Sequence, residues 1–299
     1  FLLLGITDAP WAQAPLFWLF LLVYIVTLAG NIGLMFLVWV APNLHTPMYF
    51  FLTHFSLADV CYSTVISPKM LTGLLFGNKT ISWAGCVAQF HLFAFFVTAE
   101  CYLLASMAYD RHVAICHPLR YVKVVSPRAC WQLVAWSYLV ASISALIYTS
   151  LMFGGSFCGP RHVDHFFCDV SPVLRLACSD TRGREVTIFA LATANGLGTS
   201  VVILLSYGRI LHTVLGMRSA PSRARAFHTC ASHLLSVSVF YRTLFFMYLQ
   251  PASRHSSRDK VASVFYTVVS LMLNPFIYSL RNKEVRAALG KCRRRMLNR

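Results

Sequence analysis

Seven long apolar runs, at residues 16–40, 48–75, 87–109, 131–154, 186–215, 227–250 and 261–280, constrain this chain more than any other feature. Each approaches or exceeds the ~20 residues that carry a helix across a hydrocarbon core. Lipid offers the backbone no hydrogen bonds, so each run is expected to satisfy its own polar groups as a helix. Composition points to the same solvent. Of the 299 residues 57% are hydrophobic and 12% charged, whereas a soluble domain usually carries about 25% charged residues. Such a chain cannot cover its surface with polar groups. The expected fold is an all-α membrane protein, a single domain over 1–299 whose seven spans form a bundle, with a basic tail at 281–299.

Orientation follows from the 26 Lys and Arg. With the N-terminus outside, the cytoplasmic face collects Arg111, Arg120, Lys123, Arg128, Arg209, Arg218, Arg223, Arg225 and eight more from Arg281 onward. The outer face holds eight. This two-to-one bias fits the positive-inside rule. The net charge of +16 could suggest nucleic acid. The basic residues lie in short loops between apolar spans, however, so membrane lipid is the expected partner and nucleic acid is not. Because the sequence begins at Phe1 rather than Met, some N-terminal residues are expected to precede it.

At the inner end of the third run stands Met107-Ala-Tyr-Asp-Arg-His-Val-Ala-Ile-Cys-His-Pro-Leu-Arg-Tyr121. A lone Asp-Arg arises freely by chance; this longer string at a membrane boundary does not. It resembles the Asp-Arg-Tyr region of rhodopsin-like G-protein-coupled receptors, and the olfactory receptor family in particular. Thr46-Pro-Met-Tyr-Phe-Phe-Leu52, Leu205-Ser-Tyr-Gly-Arg-Ile210, Ala226-Phe-His-Thr-Cys-Ala-Ser-His233 and Leu273-Asn-Pro-Phe-Ile-Tyr-Ser-Leu-Arg-Asn282 carry the resemblance through the other spans. Asp164-His-Phe-Phe-Cys-Asp and Ala177-Cys-Ser-Asp are similar to the larger class that takes air-borne odorants. Three positions depart from the family pattern: His112 for Tyr, His228 for Ser and Arg242 for Gly.

The resemblance implies a receptor, not an enzyme. It would bind small, volatile, weakly polar molecules in the outer half of the bundle and activate a stimulatory, cAMP-raising G protein from the plasma membrane. The implied ligand contacts are Phe93, Ala94, Val97 and Thr98 on span three, Leu191 and Asn195 on span five, Tyr241, Leu244, Phe245 and Tyr248 on span six, and Val264 and Thr267 on span seven. The implied switch is Asp110 holding Arg111, with Tyr207, His233 and Tyr278 near it. In the family, Asn31 braces spans two and seven.

Cys86 begins span three, and Cys158, Cys168 and Cys178 punctuate the second outer loop. Four cysteines permit three pairings, from which the resemblance selects Cys86–Cys168 and Cys158–Cys178. Asn78-Lys79-Thr80 is a glycosylation sequon close to the membrane. His165-Phe-Phe-Cys168-Asp169 reads as a metal cluster only if Cys168 is free.

Two acids lie inside the spans. Asp59 and Glu100 both fall ~16 Å from the inner ends of their runs, at 1.5 Å per residue. Carboxylates at one depth on adjacent helices repel unless a cation or a shared proton sits between them. The expected reading is a sodium or proton site with Asn274 as third polar group, which the family's own acid pair supports; one protonated carboxyl bonded to the other is the alternative. Arg242 admits three readings: contact with a ligand carboxylate or carbonyl, pairing with Glu100, or snorkelling to outer water.

Two rival functions remain. A rhodopsin-like receptor for some other small ligand would share every motif above. A transporter or channel would be expected to show inverted repeats with matched broken helices, and no internal repeat is evident.

Overall fold

The computed structural model describes residues 1–6, 9–158, 162–248, 264, 268, 270–281 and 285–290. In chain order they form strand β1 (Leu2–Leu3) and helices α1 (Pro10–Val40), α2 (Pro47–Phe76), α3 (Trp83–Cys116), α4 (Tyr121–Val124) and α5 (Pro127–Phe153). Strand β2 (His162–Val163) follows, then α6 (Val170–Leu174), α7 (Arg182–Leu215), α8 (Ala220–Tyr248) and α9 (Ser270–Arg281). The six long helices cover the first six apolar runs and α9 the inner part of the seventh. Residues 285–290 are helical as well.

Most of these helices overrun their apolar stretches, because hydrogen bonding continues past the point where lipid contact stops. The overruns carry start signals. Pro10, Pro47 and Pro127 sit in first turns, where a missing N–H costs nothing. Ser82 caps α3 by accepting from the Gly85 N–H at 3.0 Å, and Ser126 caps α5 by accepting from Ala129 at 3.3 Å. Gly77 ends α2 with φ +65°, a left-handed conformation that a Cβ would strain.

The bundle is apolar outside as well as inside. Trp18, Leu22 and Phe36 on α1 are more than half exposed, as lipid-facing side chains should be. Four described helices, α1, α3, α5 and α7, are long and apolar enough to cross a membrane on those criteria alone. In α3 two thirds of the most apolar window is buried, against 22% in α7. Helix α3 is therefore the central post. Around its outer half Tyr62, Ile66, Phe90, Phe93, Tyr148, Phe166 and Phe167 form one core. Around its inner half Phe51, Phe55, Leu103, Leu104, Met107 and Tyr278 form another.

Helices α1 and α9 meet by steric fit. A Cβ on Gly30 would stand 2.7 Å from Pro275 Cγ, so glycine alone permits the approach. The bracing role expected of Asn31 is not what the described residues show. Asn31 Nδ2 donates to Thr27 O of its own helix at 3.1 Å, and its buried Oδ1 has no partner among them. Thr27 lies one turn earlier and captures the amide locally.

The outer surface adds strand pairing that the hydropathy pattern does not announce. β1 and β2 pair in parallel, Leu2 opposite His162 and Leu3 opposite Val163. Leu4 N–H extends the ribbon to Val163 O at 2.9 Å. Cys86 is joined to Cys168 and Cys158 to Cys178. Gln89 backs the first bridge: its Oε1 accepts from the Cys168 N–H at 3.0 Å, and its Nε2 donates to Val65 O at 3.1 Å. The second outer loop is thus fastened to α3 by one covalent and one hydrogen bond.

Candidate functional site

Phe93, Ala94, Val97 and Thr98 of α3 converge with Asn195 of α7 and Leu244 of α8 on a narrow cavity of about 40 Å³. Phe90, Cys101, Tyr148, Val170, Ile188, Ala192 and Gly196 complete the lining. Helical spacing could have found Phe90 and Cys101, which continue the stripe of 93, 94 and 97 at one-turn intervals. Tyr148 on α5 and Val170 on α6 carried no such signal. Among the described residues no Asp, Glu, Lys or Arg lines this space.

Several expected contacts lie elsewhere. Leu191 is 36% exposed on the outer face of α7; the helical register turns Ile188 and Ala192 inward in its place. Tyr241 is buried but serves as a strut, donating to Thr199 Oγ1 at 2.7 Å. Phe245 packs against the Tyr241 ring at 5.8 Å. Val264 is buried in the outer core and is not among the described residues that line the cavity. The Tyr248 side chain and Thr267 lie outside the described residues.

Asn195 is engaged on every side. Its Nδ2 donates to Leu191 O at 3.0 Å, to the Tyr148 hydroxyl at 3.0 Å and to Ser144 Oγ at 3.5 Å. Its Oδ1 accepts from the Tyr102 hydroxyl at 2.8 Å. One amide thereby ties α3, α5 and α7 at the cavity's edge. A polar group so fully bonded fixes geometry before it recognises anything.

Below the cavity a smaller space of about 30 Å³ shares Phe93, Val97 and Leu244 with it and adds Glu100 and Asn274. Here the two submerged acids face each other. Asn274 Nδ2 donates to both Asp59 oxygens, at 3.0 and 3.3 Å, and its Oδ1 accepts from Ser236 Oγ at 2.9 Å. Both Glu100 oxygens are buried without a hydrogen-bond partner among the described residues. Asp59, Glu100 and Asn274 are thus brought together as expected, with Ser236 added. Among the described residues no group of three His, Cys, Asp or Glu could hold a metal.

At the far end of α3 the expected switch residues form a closed pair. Arg111 donates Nε to Asp110 Oδ2 at 2.8 Å and pairs with the same oxygen through its Nη2. Tyr121 of α4 donates to the other oxygen at 2.7 Å. Burial, and after it the Asp110 carboxylate, push the Tyr121 phenol above the ordinary tyrosine range, so it stays a donor at physiological pH. Tyr121 was missed as a latch residue, although it closes the very string that marks the site. Tyr207 is bonded to His233 Nδ1 at 2.6 Å. His233 Nε2 and the Tyr278 hydroxyl are buried with no partner among the described residues.

Arg242 is exposed on α8 and forms no ion pair among the described residues. Pairing with Glu100 is therefore absent from this arrangement, as is a place in either cavity. Cys168 is consumed by its disulfide, which removes the thiolate a metal cluster would need. Asn78 is exposed two residues past α2, with Oδ1 accepting from Thr80 Oγ1 at 2.8 Å.

The family model described as "Olfactory receptor" matches residues 20–296. Olfactory receptor 5B21 of Mus musculus is 51% identical over 97% of this chain and 92% of its own length. Olfactory receptor 8U9 of Homo sapiens is 51% identical over 97% of this chain and 94% of its own. The crystal structure of squid rhodopsin superposes with a TM-score of 0.75 at 17% identity, covering 97% of this chain and 88% of that one, and so shares the fold. With this likeness along nearly its whole length, the chain belongs to the olfactory receptor family, multi-pass receptors of the plasma membrane and not enzymes.

Proposed function

We propose that the chain binds small, volatile, weakly polar odorants between α3, α5, α7 and α8 and activates a stimulatory G protein at its inner face, raising cAMP. The observation that carries this reading is the double role of α3. Val97 lines the cavity and Arg111 sits in the latch on one continuous buried helix, ~21 Å apart. The ligand-contact set is Phe93, Ala94, Val97, Thr98 and Leu244, with Asn195 fixing the wall beside them, and the switch set is Asp110, Arg111, Tyr121, Tyr207, His233 and Tyr278. The N-terminus lies outside and the tail from 281 onward lies in the cytoplasm, as the basic residues favour.

An odorant shifts the receptor only by preferring one arrangement to the other. The open volume is smaller than a typical ligand site, so binding spreads the cavity walls. Phe93, Val97 and Leu244 also bound the space at Glu100, which passes that displacement to the acid pair. There Asp59 and Glu100 would hold a sodium ion or a shared proton, with Asn274 positioning Asp59 through its Nδ2. Glu100 fits that role, being buried without a hydrogen-bond partner among the described residues and opposite a second carboxyl. A bound cation would supply the positive charge that offsets both acids in the resting bundle. Release of Arg111 from Asp110 then frees the guanidinium for the G protein, with Tyr207 and Tyr278 available to meet it.

The test is a cell-based cAMP screen against a chemically broad volatile panel, with Arg111→Ala as control. The expected result is a dose-dependent response to some panel members that Arg111→Ala brings to background at equal surface expression. A response that survives Arg111→Ala would remove the latch from the mechanism.

A further inference from the structure

A mostly apolar groove lies outside this site. It encloses about 440 Å³ where α1, α2 and α5 meet at their inner ends. Trp39 of α1 and Trp131 of α5 line it, with Thr46, Pro47 and Phe50 from the start of α2. Trp39 is 75% and Trp131 59% exposed. The wall is preformed, because the Trp131 ring stands edge-on to Phe50 at 4.9 Å and to His54 at 5.7 Å. The Thr46–Leu52 string, a family hallmark without a task in the ligand cavity or the latch, thus shapes a groove on the lipid-facing side.

In a multi-pass membrane protein such a groove is filled by lipid, and the charge at its mouth selects which. His45 lines the groove, and exposed Arg128 follows Pro127, which lines it too. Arg120 and Lys123 are exposed on the same inner edge. Neither the 41–46 connection nor the 117–130 segment contains an acid. The nearest acid in sequence, Asp110, is occupied by Arg111 and Tyr121. Positive charge at this edge is therefore left for a partner, and basic residues at a cytoplasmic membrane surface attract anionic lipid.

We propose that the groove binds an anionic phospholipid of the inner leaflet, one acyl chain between Trp39 and Trp131 and the phosphate against Arg128 and His45. This rests on the inward orientation proposed above. Cys130 lines the groove and also neighbours Asp110, so the acyl chain braces the wall behind the latch.

The test uses the full chain reconstituted in phosphatidylcholine vesicles containing a minor fraction of a lipid with a photoreactive acyl chain. The probe is phosphatidylserine in one arm and phosphatidylcholine in the other, and labelled peptides are mapped by mass spectrometry. Phosphatidylserine is expected to label the peptides holding Trp39 and Trp131 several-fold more than phosphatidylcholine. Arg128→Gln should lower that excess about fivefold while leaving phosphatidylcholine labelling unchanged. Thr53→Trp, which fills the groove, should lower both. Equal labelling by the two probes, labelling confined to other surfaces, or displacement of the label by added cholesterol but not by unlabelled phosphatidylserine would each overturn the proposal. The labelling needs neither odorant nor G protein, so a silent receptor that still takes the anionic probe refutes the proposed function and not this site. An epitope after Arg299 reached by antibody on intact cells would refute the orientation.

Discussion

Asn195 at the outer cavity and several buried polar groups toward the inner half are bonded in opposite ways. At the outer cavity both polar atoms of Asn195 are bonded, to α3, α5 and its own helix. Toward the inner half Glu100, His112, His233 and Tyr278 each keep at least one buried polar atom without a partner among the described residues. An unmade buried hydrogen bond costs about 1–3 kcal/mol, so a stable protein retains few without a reason. Saturated groups fix the cavity's shape. In the switch proposed above, Arg111 leaving Asp110 would supply a partner to His233 and Tyr278, while Glu100, ~16 Å further along α3, lies beyond its reach.

The most severe way to break this contrast is to release the outer lid. Cys168→Ser removes the tie from the second outer loop to α3, and loss of a native disulfide typically costs about 2–5 kcal/mol. Surface expression should fall by most of its wild-type value, measured by flow cytometry with an N-terminal epitope. Expression at wild-type level would mean that Gln89 and the β1–β2 ribbon hold the loop unaided.

Tyr121→Phe tests the latch. It removes one of the donors to a buried carboxylate, a bond of the charged class worth about 1.5–3 kcal/mol. The closed state loses support, so odorant-independent cAMP should rise about tenfold relative to surface expression. Unchanged basal signalling would show that Arg111 alone secures Asp110. Asn195→Ala tests the opposite expectation for the outer half. It strands the Tyr102 and Tyr148 hydroxyls at a cost of about 1–3 kcal/mol, which lowers expression and weakens all odorants alike. Val97→Phe, changing shape and not bonding, should instead reorder the odorant panel. If Asn195→Ala reordered the panel too, the amide would be a recognition element after all.

The latch and the acid pair were legible because their chemistry is rare inside a membrane. Asp59, Glu100 and the Asp110-Arg111 boundary stand out against apolar surroundings, and depth counting placed the two acids together. The cavity was legible on α3 for a different reason. A central helix is buried nearly all round, so a contact guessed anywhere along its stripe tends to face a neighbour. Peripheral α7 has one narrow inward face, and there the expected contact Leu191 lies one position from the lining residue Ala192. The Asn31 brace failed because a local carbonyl, Thr27 O, competes with any cross-helix partner. Tyr121 went unread because its partner depends on how the chain folds back after Pro118, which no periodicity encodes. The β1–β2 ribbon is two residues long on each side, too short for any alternation signal.

Arg242 gives the smallest expected effect and the sharpest test of where the cavity ends. It lies one residue from Tyr241, which is buried, yet a 100° step along α8 carries it to the exposed face. Six residues separate it from the described end of α8 at Tyr248, ~9 Å at helical rise, within reach of a side chain that extends along the helix to outer water. A guanidinium placed so touches neither the odorant cavity nor Glu100. Arg242→Gln keeps the helix propensity and removes the charge without altering the lining of either cavity. Rank order and half-maximal concentrations across the odorant panel should therefore match the wild type. Selective loss of odorants bearing carboxylate or carbonyl groups would place Arg242 inside the ligand site, and the outer wall would then have to include the lipid-facing side of α8.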